Sequence, residues 1–417
     1  VSDQGIQFKH LLIKTPKSSI YFNKLALKTK QLTDFEHFDD KVVFDVALQK
    51  SRLSLQDLSY FVPDLKGMTQ RVSVAGNVQD VLKRLSITQF KLEFGQRSKL
   101  RANFKLPDFR LATEQLRFNE LLQFAHLDFQ DLERLQLPTG VASIEIPAEI
   151  RAMNFFEFKN MTFNGALDNF SLSVQKAKTQ LGNFALAPLR VKQEAAGFTL
   201  SAVQADTTLL RLENFNLGPL AGLTDLGATN AALQFKLSVF NDGSYALNAL
   251  DGQIKSLVFQ DYTYQNIQIQ EASILKNQLQ TKVEIKDPHL NAQANLAFSL
   301  VGPINYQYEL NVANADLSLL GFGAREQDHL SFDLRGALQG PSFSNISGYA
   351  SFSQLIYQEA TERLYTELAQ VHFSQNNDNT FLQFSSPMLD LNVAGYIDFE
   401  HISNDLLHHL AIVYPSL

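Results

Sequence analysis

One strand phrase recurs along the chain: apolar residues at every second position, closed by a glycine and resumed beyond it. It reads Val72-x-Val74-x-Gly76-x-Val78, Met161-x-Phe163-x-Gly165-x-Leu167, Phe332-x-Leu334-x-Gly336-x-Leu338 and Leu391-x-Val393-x-Gly395-x-Ile397. A side-chain period of two places the apolar set on one face of a pleated strand and the polar set on the other. Such a chain folds as sheet with one dry and one wet face. The four glycines leave out side-chain bulk within strands, which predicts bends or bulges that curl successive strands into a trough.

The same alternation appears in Val42-x-Phe44-x-Val46-x-Leu48 and in Phe235-x-Leu237-x-Val239. It is cleanest from Leu290 to Phe298, where Asn291, Gln293 and Asn295 stand between apolar neighbours. Asn241-Asp242-Gly243-Ser244, Asp287-Pro288, Gly302-Pro303 and Gly340-Pro341 supply turns between the strands. Helix signals are short: Thr33 to Asp39, Ser54 as N-cap before Leu55 to Phe61 with Pro63 behind it, and Phe129 to Leu135 ahead of Pro138. None is long enough to stand alone, so each is expected to plug a sheet end or cover part of the dry face. The expected fold is all-β: an elongated, mostly antiparallel curled sheet, a β-taco or groove, with an apolar interior and a few short helices. The phrase order from Asp251-Gly252 through Asp287-Pro288 to Phe298 is repeated from Ser347-Gly348 through Ser386-Pro387 to Ile397, as in a sheet grown by stacking. Residues 1–417 read as one elongated groove segment, with a subdivision near Pro138 into 1–138 and 139–417.

Composition narrows the function. The net charge is -7 and no run of Lys and Arg occurs, which excludes nucleic acid as a partner. With no cysteine there is no disulfide, thiolate nucleophile or Cys-ligated metal. The nine histidines are scattered, and no His-Glu-x-x-His, nucleophile elbow, phosphate loop or dinucleotide fingerprint is present. No enzyme activity, metal or cofactor is expected. No stretch reaches the roughly 18 apolar residues that a spanning helix needs. The chain starts at Val1 and ends in an apolar segment, Leu406 to Leu417, which reads as a piece cut from a longer protein.

The dry face is therefore the feature with functional content. In one reading it packs on a second sheet as in a sandwich. In the other it stays open, because helices are scarce and small residues such as Ala102, Ala292 and Ala294 leave room. An open apolar trough needs an occupant, and acyl chains suit it. The candidate lining residues are Leu100, Ala102, Phe104 and Leu106 in one strand, Leu290, Ala292, Ala294, Leu296 and Phe298 in another, and Phe332, Leu334 and Leu338 in a third.

The order of these phrases resembles that of the TamB-like proteins (translocation and assembly module) of the AsmA-like superfamily, especially the long Bacteroidota forms. The stretches that carry the resemblance are Leu53 to Gly67 (LSLQDLSYFVPDLKG), Leu212 to Leu220 (LENFNLGPL), Leu250 to Ile267 and Asp287-Pro288-His289-Leu290. The resemblance runs roughly from Val1 to Phe399. It implies a periplasmic segment of a protein anchored in the inner membrane outside this chain. It also implies an apolar β-groove that conducts phospholipids toward the outer membrane with an Omp85-type barrel partner. A scaffold for outer-membrane protein assembly and secretion through sheet edges is the alternative, and an adhesin-like structural protein a third.

Overall fold

The computed structural model describes residues 5–60, 65–106, 117–137, 144–146, 148–166, 168–204, 208–242, 244–321, 328–342, 344–359, 362–376 and 379–395. They form an all-β protein of antiparallel curled sheet with a few short helices. Two compact units are present, Val1–Tyr245 with Leu257–Phe259, and Ala246–Ser256 with Gln260–Leu417. Pro138, where the sequence suggests a subdivision, and the apolar end from Leu406 to Leu417 lie outside the described residues.

The first unit opens with β1 (Gly5–Lys14), β2 (Ser19–Lys28), β3 (Val43–Ser54), β4 (Arg71–Val81), β5 (Ser86–Phe94) and β6 (Ser98–Lys105). It continues with β7 (Phe118–Asp128), β8 (Phe155–Ala166), β9 (Asn169–Thr179) and β10 (Gly182–Glu194). Each pairs antiparallel with the next, through short turns at β1–β2, β4–β5, β5–β6, β8–β9 and β9–β10 and through longer connections elsewhere. β11 (Gly197–Ala202) and β12 (Leu210–Asn216) then lie end to end, each pairing with part of β10 on one side and of β13 (Leu226–Phe240) on the other. The residues of β14 (Tyr245–Phe259) are divided between the units.

The second unit contains β15 (Tyr262–Leu275), β16 (Gln278–Lys286), β17 (Leu290–Ser299), β18 (Ile304–Asp316) and β19 (Asp328–Ser342). After them come β20 (Asn345–Glu359), β21 (Glu362–Asn376), β22 (Asn379–Ser385) and β23 (Asp390–Gly395). From β15 onward these also pair in chain order. The repeated phrase order now has a structural meaning: β14 to β16, a proline turn and β17 correspond to β20 to β22, a proline turn and β23. The first proline turn is built on Asp287. Its buried carboxylate accepts from the Tyr262 hydroxyl at 2.5 Å and from the backbone N–H of Gln265 and His289 at 2.8 and 2.9 Å. Burial and this bond to Asp287 push the Tyr262 hydroxyl far above the usual phenol range, so it remains a donor.

Short helices stand at the expected places, as one or two turns each: Leu32–His37 running into Phe38–Lys41, Leu55–Leu58, and Phe129–Glu133. Acidic residues of the last two hold hairpin turns. Asp57 accepts from the hydroxyls of Thr15 and Ser18 between β1 and β2, both at 2.5 Å. Asp131 accepts the N–H groups of Gln96, Arg97 and Ser98 between β5 and β6, each at 2.8 Å. Asp128 caps the helix that carries Asp131, accepting from Gln130 N–H at 3.0 Å. Ser54 stands at the N-cap position but its hydroxyl does not cap; it is buried, and its N–H donates to Ser18 Oγ at 2.9 Å. Phe61 and Pro63 lie outside the described residues.

Bulges disrupt the ladders, but mostly away from the glycines. In β5 the partners step from Ile87↔Phe104 to Phe90↔Ala102 and, on the other side, from Asn77↔Thr88 to Ala75↔Lys91. β5 thus carries one residue more than either neighbour. At this point Gln89 is left-handed, with φ +52, and its N–H donates to Asn103 Oδ1 at 2.8 Å. The device recurs at Asn214 in β12, whose N–H donates to Asn230 Oδ1 at 2.8 Å, and at Glu271 in β15, which donates to Asp251 Oδ1 at 2.9 Å. Gln354 in β20 is left-handed beside a further register shift. A left-handed non-glycine residue costs about 1–2 kcal/mol; an acceptor from the adjacent strand offsets part of this by satisfying the N–H released from the ladder.

The glycine expectation is corrected accordingly. Gly76 does stand at a bulge, but the extra residues are in the strands on either side of it, β3 and β5, and a Cβ on Gly76 would meet Phe90 Cα at 3.1 Å. Gly165 sits in an unbroken stretch of ladder at φ +135, where a Cβ would collide with the Asn169 carbonyl of the β8–β9 hairpin. Gly336 also lies in regular ladder, and Gly395 ends β23. Leu167 and Ile397 lie outside the described residues.

Candidate functional site

In register, the alternating apolar residues become continuous rows across the strands. In the second unit one row runs Ile269, Val283, Ala294, Leu310, Leu334, Phe352, Ala369 from β15 to β21. A second runs Leu279, Phe298, Tyr306, Leu338, Gly348, Phe373, Leu382, Val393 from β16 to β23, and Leu296, Tyr308, Gly336, Ala350 and Val371 form the row between the two. None contains a charge. Leu296 and Ala292 continue the face between Thr281 and Tyr308 and between Ile285 and Val312. Leu290 and Phe332 pack on a small core of Val312, Ala315 and Leu320 at the end of the face.

The structure therefore brings together the candidate residues of β17 and β19, with β18 between them. Leu290, Ala292, Ala294, Leu296, Phe298, Phe332, Leu334 and Leu338 are all half-buried, while Asn291, Gln293 and Asn295 are exposed. Leu100, Ala102 and Phe104 form the corresponding rows of the first unit. One runs Val74, Leu92, Leu100, Ala125, Phe158, Ala177, Phe184, Leu212, Ala231. The next runs Phe90, Ala102, Leu122, Met161, Val174, Leu186, Leu210, Leu233. Phe104 pairs with Ile87 and packs edge-on against Phe90 at 5.3 Å. Leu106 is half-buried just beyond β6, its N–H bonded to the Leu85 carbonyl at 2.9 Å.

Large and small side chains alternate along these rows. Ala125 and Ala177 are fully buried on either side of Phe158. Gly336 and Gly348 play the same part in the second unit. A Cβ on Gly336 would overlap the ring of Tyr308, its cross-strand partner, and one on Gly348 would crowd the Leu338 side chain. Tyr308 crosses over Gly336 to place its hydroxyl 3.5 Å from the Tyr349 carbonyl, and burial raises its pKa so that it stays a donor. Beside these glycines an apolar cleft of about 470 Å³ opens, lined by Leu338, Ile346, Ala350, Val371, Phe373 and Leu382 among others.

The sequence reasoning missed β18 altogether, although Tyr306-x-Tyr308-x-Leu310-x-Val312 alternates as plainly as its neighbours; its tyrosine hydroxyls disguised a strand whose rings lie on the dry face. The large members of the rows in the second unit, among them Leu310, Leu334, Leu338, Phe352 and Phe373, are half-buried and not sealed as a sandwich interior would be. The wet face opposite carries Lys282, Asn295, Glu309 and Arg335 in one row. Among the described residues no cluster of three His, Asp or Glu groups is arranged to hold a metal, and no helix is long and apolar enough to cross a membrane. Compared with known protein families, curated proteins and solved structures, the chain matches none.

Proposed function

We propose that this chain is a segment of a lipid-transfer groove of the TamB-like kind, carrying phospholipid acyl chains across the periplasm toward the outer membrane, with an Omp85-type barrel as partner. The observation that supports it is the pair of uncharged apolar rows that run from strand to strand yet stay half-exposed. Each methylene of an acyl chain sheltered there gains about 0.8 kcal/mol. The rows offer few donors or acceptors to select a headgroup, so contacts are repeated and unspecific, which suits movement along the face better than chemistry.

The test is photo-crosslinking in cells. A crosslinker at Ala294 or Phe104 captures phospholipid, and one at Asn295, exposed on the opposite face, does not. Equal capture at both positions, or none at either, rejects the reading. One observation favours the assembly scaffold as second reading: among the described residues β1 pairs only with β2, and Phe8 on it is 47% exposed. Under that reading crosslinkers in β1 capture nascent barrel strands, and Ala294 captures no lipid.

A further inference from the structure

The wet face of the second unit carries a depression of about 560 Å³ over β16 to β20, on the side away from the apolar rows. Its floor is Ala297 and Ala337, two short side chains in a row otherwise made of Gln280, Gln307 and Tyr349. The neighbouring charges are already matched. Lys282 Nζ lies 2.7 Å from Glu271, Arg335 Nε lies 3.5 Å from Glu309, and the Asn295 amide donates to Glu309 at 3.4 Å. Gln280 and Gln307 are exposed, and their amides have no hydrogen-bond partner among the described residues. The Tyr349 ring is 46% exposed and lies 6.4 Å from the His372 ring.

We propose that this depression binds an uncharged saccharide. A pyranose ring has an apolar C–H face and a rim of hydroxyls that both donate and accept. Tyr349 and the two alanines present an apolar, aromatic surface to the first. The amides of Gln280 and Gln307, each with donors and an acceptor, match the second. An ionic ligand finds no unmatched charge here and would have to part an existing ion pair. The volume is that of a small-ligand site. This inference rests on side chains of the opposite face and stands whether or not the apolar rows carry lipid.

Calorimetric titration of the full chain with cellohexaose, maltohexaose and fully N-acetylated chitohexaose tests it, with a galacturonate hexamer as the anionic counterpart. At least one neutral hexamer binds, and Tyr349→Ala and Gln307→Ala each weaken it roughly tenfold, the scale of losing a central contact. Gln383→Ala, on the same face in β22, leaves binding unchanged and controls for the fold. Absence of binding by all three neutral sugars, tighter binding of the anionic hexamer, or binding that survives both substitutions overturns the proposal.

Discussion

Asp131 shows how one side chain fixes a turn. It is 6% exposed and receives three backbone N–H groups from the β5–β6 turn. Burial alone would raise its pKa; the N–H groups outweigh it and hold the carboxylate below its ordinary value of 3.8. Asp131→Asn places an amide against these donors and is expected to cost about 1–3 kcal/mol at neutral pH in urea unfolding. Because the folded pKa is depressed, the stabilisation is complete above 3.8 and disappears as pH falls through the lowered folded value. The gap between wild type and Asp131→Asn therefore closes in strong acid; a gap independent of pH would refute the ionic account. None of this was legible in the sequence, where Phe129 to Leu135 read only as a short helix and nothing tied Asp131 to a turn more than thirty positions upstream.

At the scale of the strand, the bulges are the informative elements. Their signal was present but of another kind than glycine: the apolar alternation takes a step of three. Ile87 is followed by Phe90, Leu212 by Phe215, Ile269 by Ala272 and Phe352 by Leu355, with a polar left-handed residue inside each step. Deleting Gln89 restores an unbroken alternation through Ile87, Phe90 and Leu92, so β5 can flatten against its neighbours with its apolar residues still on the dry face. Deleting Lys91 two positions on instead turns the strand end over and puts Glu93 on the dry face in place of Leu92. Thermal unfolding followed by circular dichroism is expected to show a cooperative transition for the Gln89 deletion and a broad or absent one for the Lys91 deletion. Equal damage from both would mean that Gln89 is an ordinary ladder residue.

At the scale of the molecule, fold class and the faces of the candidate strands were legible because a period of two survives any choice of partner strand. The row order was not, since register depends on turns and bulges that the apolar pattern specifies only locally. Both units carry charge-free apolar rows, and the two competing uses of such a face differ in what a charge does there. Leu334→Lys in a packed interior leaves an unpaired buried ammonium and costs several kcal/mol. On a half-open face the long side chain lifts its charge to water, and the expected cost is below about 2 kcal/mol. Chemical denaturation measures this, and the same substitution is expected to abolish lipid capture at Ala294, its neighbour but one along the row. A small cost with undiminished capture would separate the rows from transport.

The left-handed bulges also bear on how such a chain can lengthen. Gln89 takes its acceptor from Asn103 on β6, Asn214 from Asn230 on β13, and Glu271 from Asp251 on β14. A gene duplication that copied a single strand would separate donor from acceptor, whereas one that copied adjacent strands together would carry both. The smallest inheritable increment of this architecture is thus a pair of neighbouring strands.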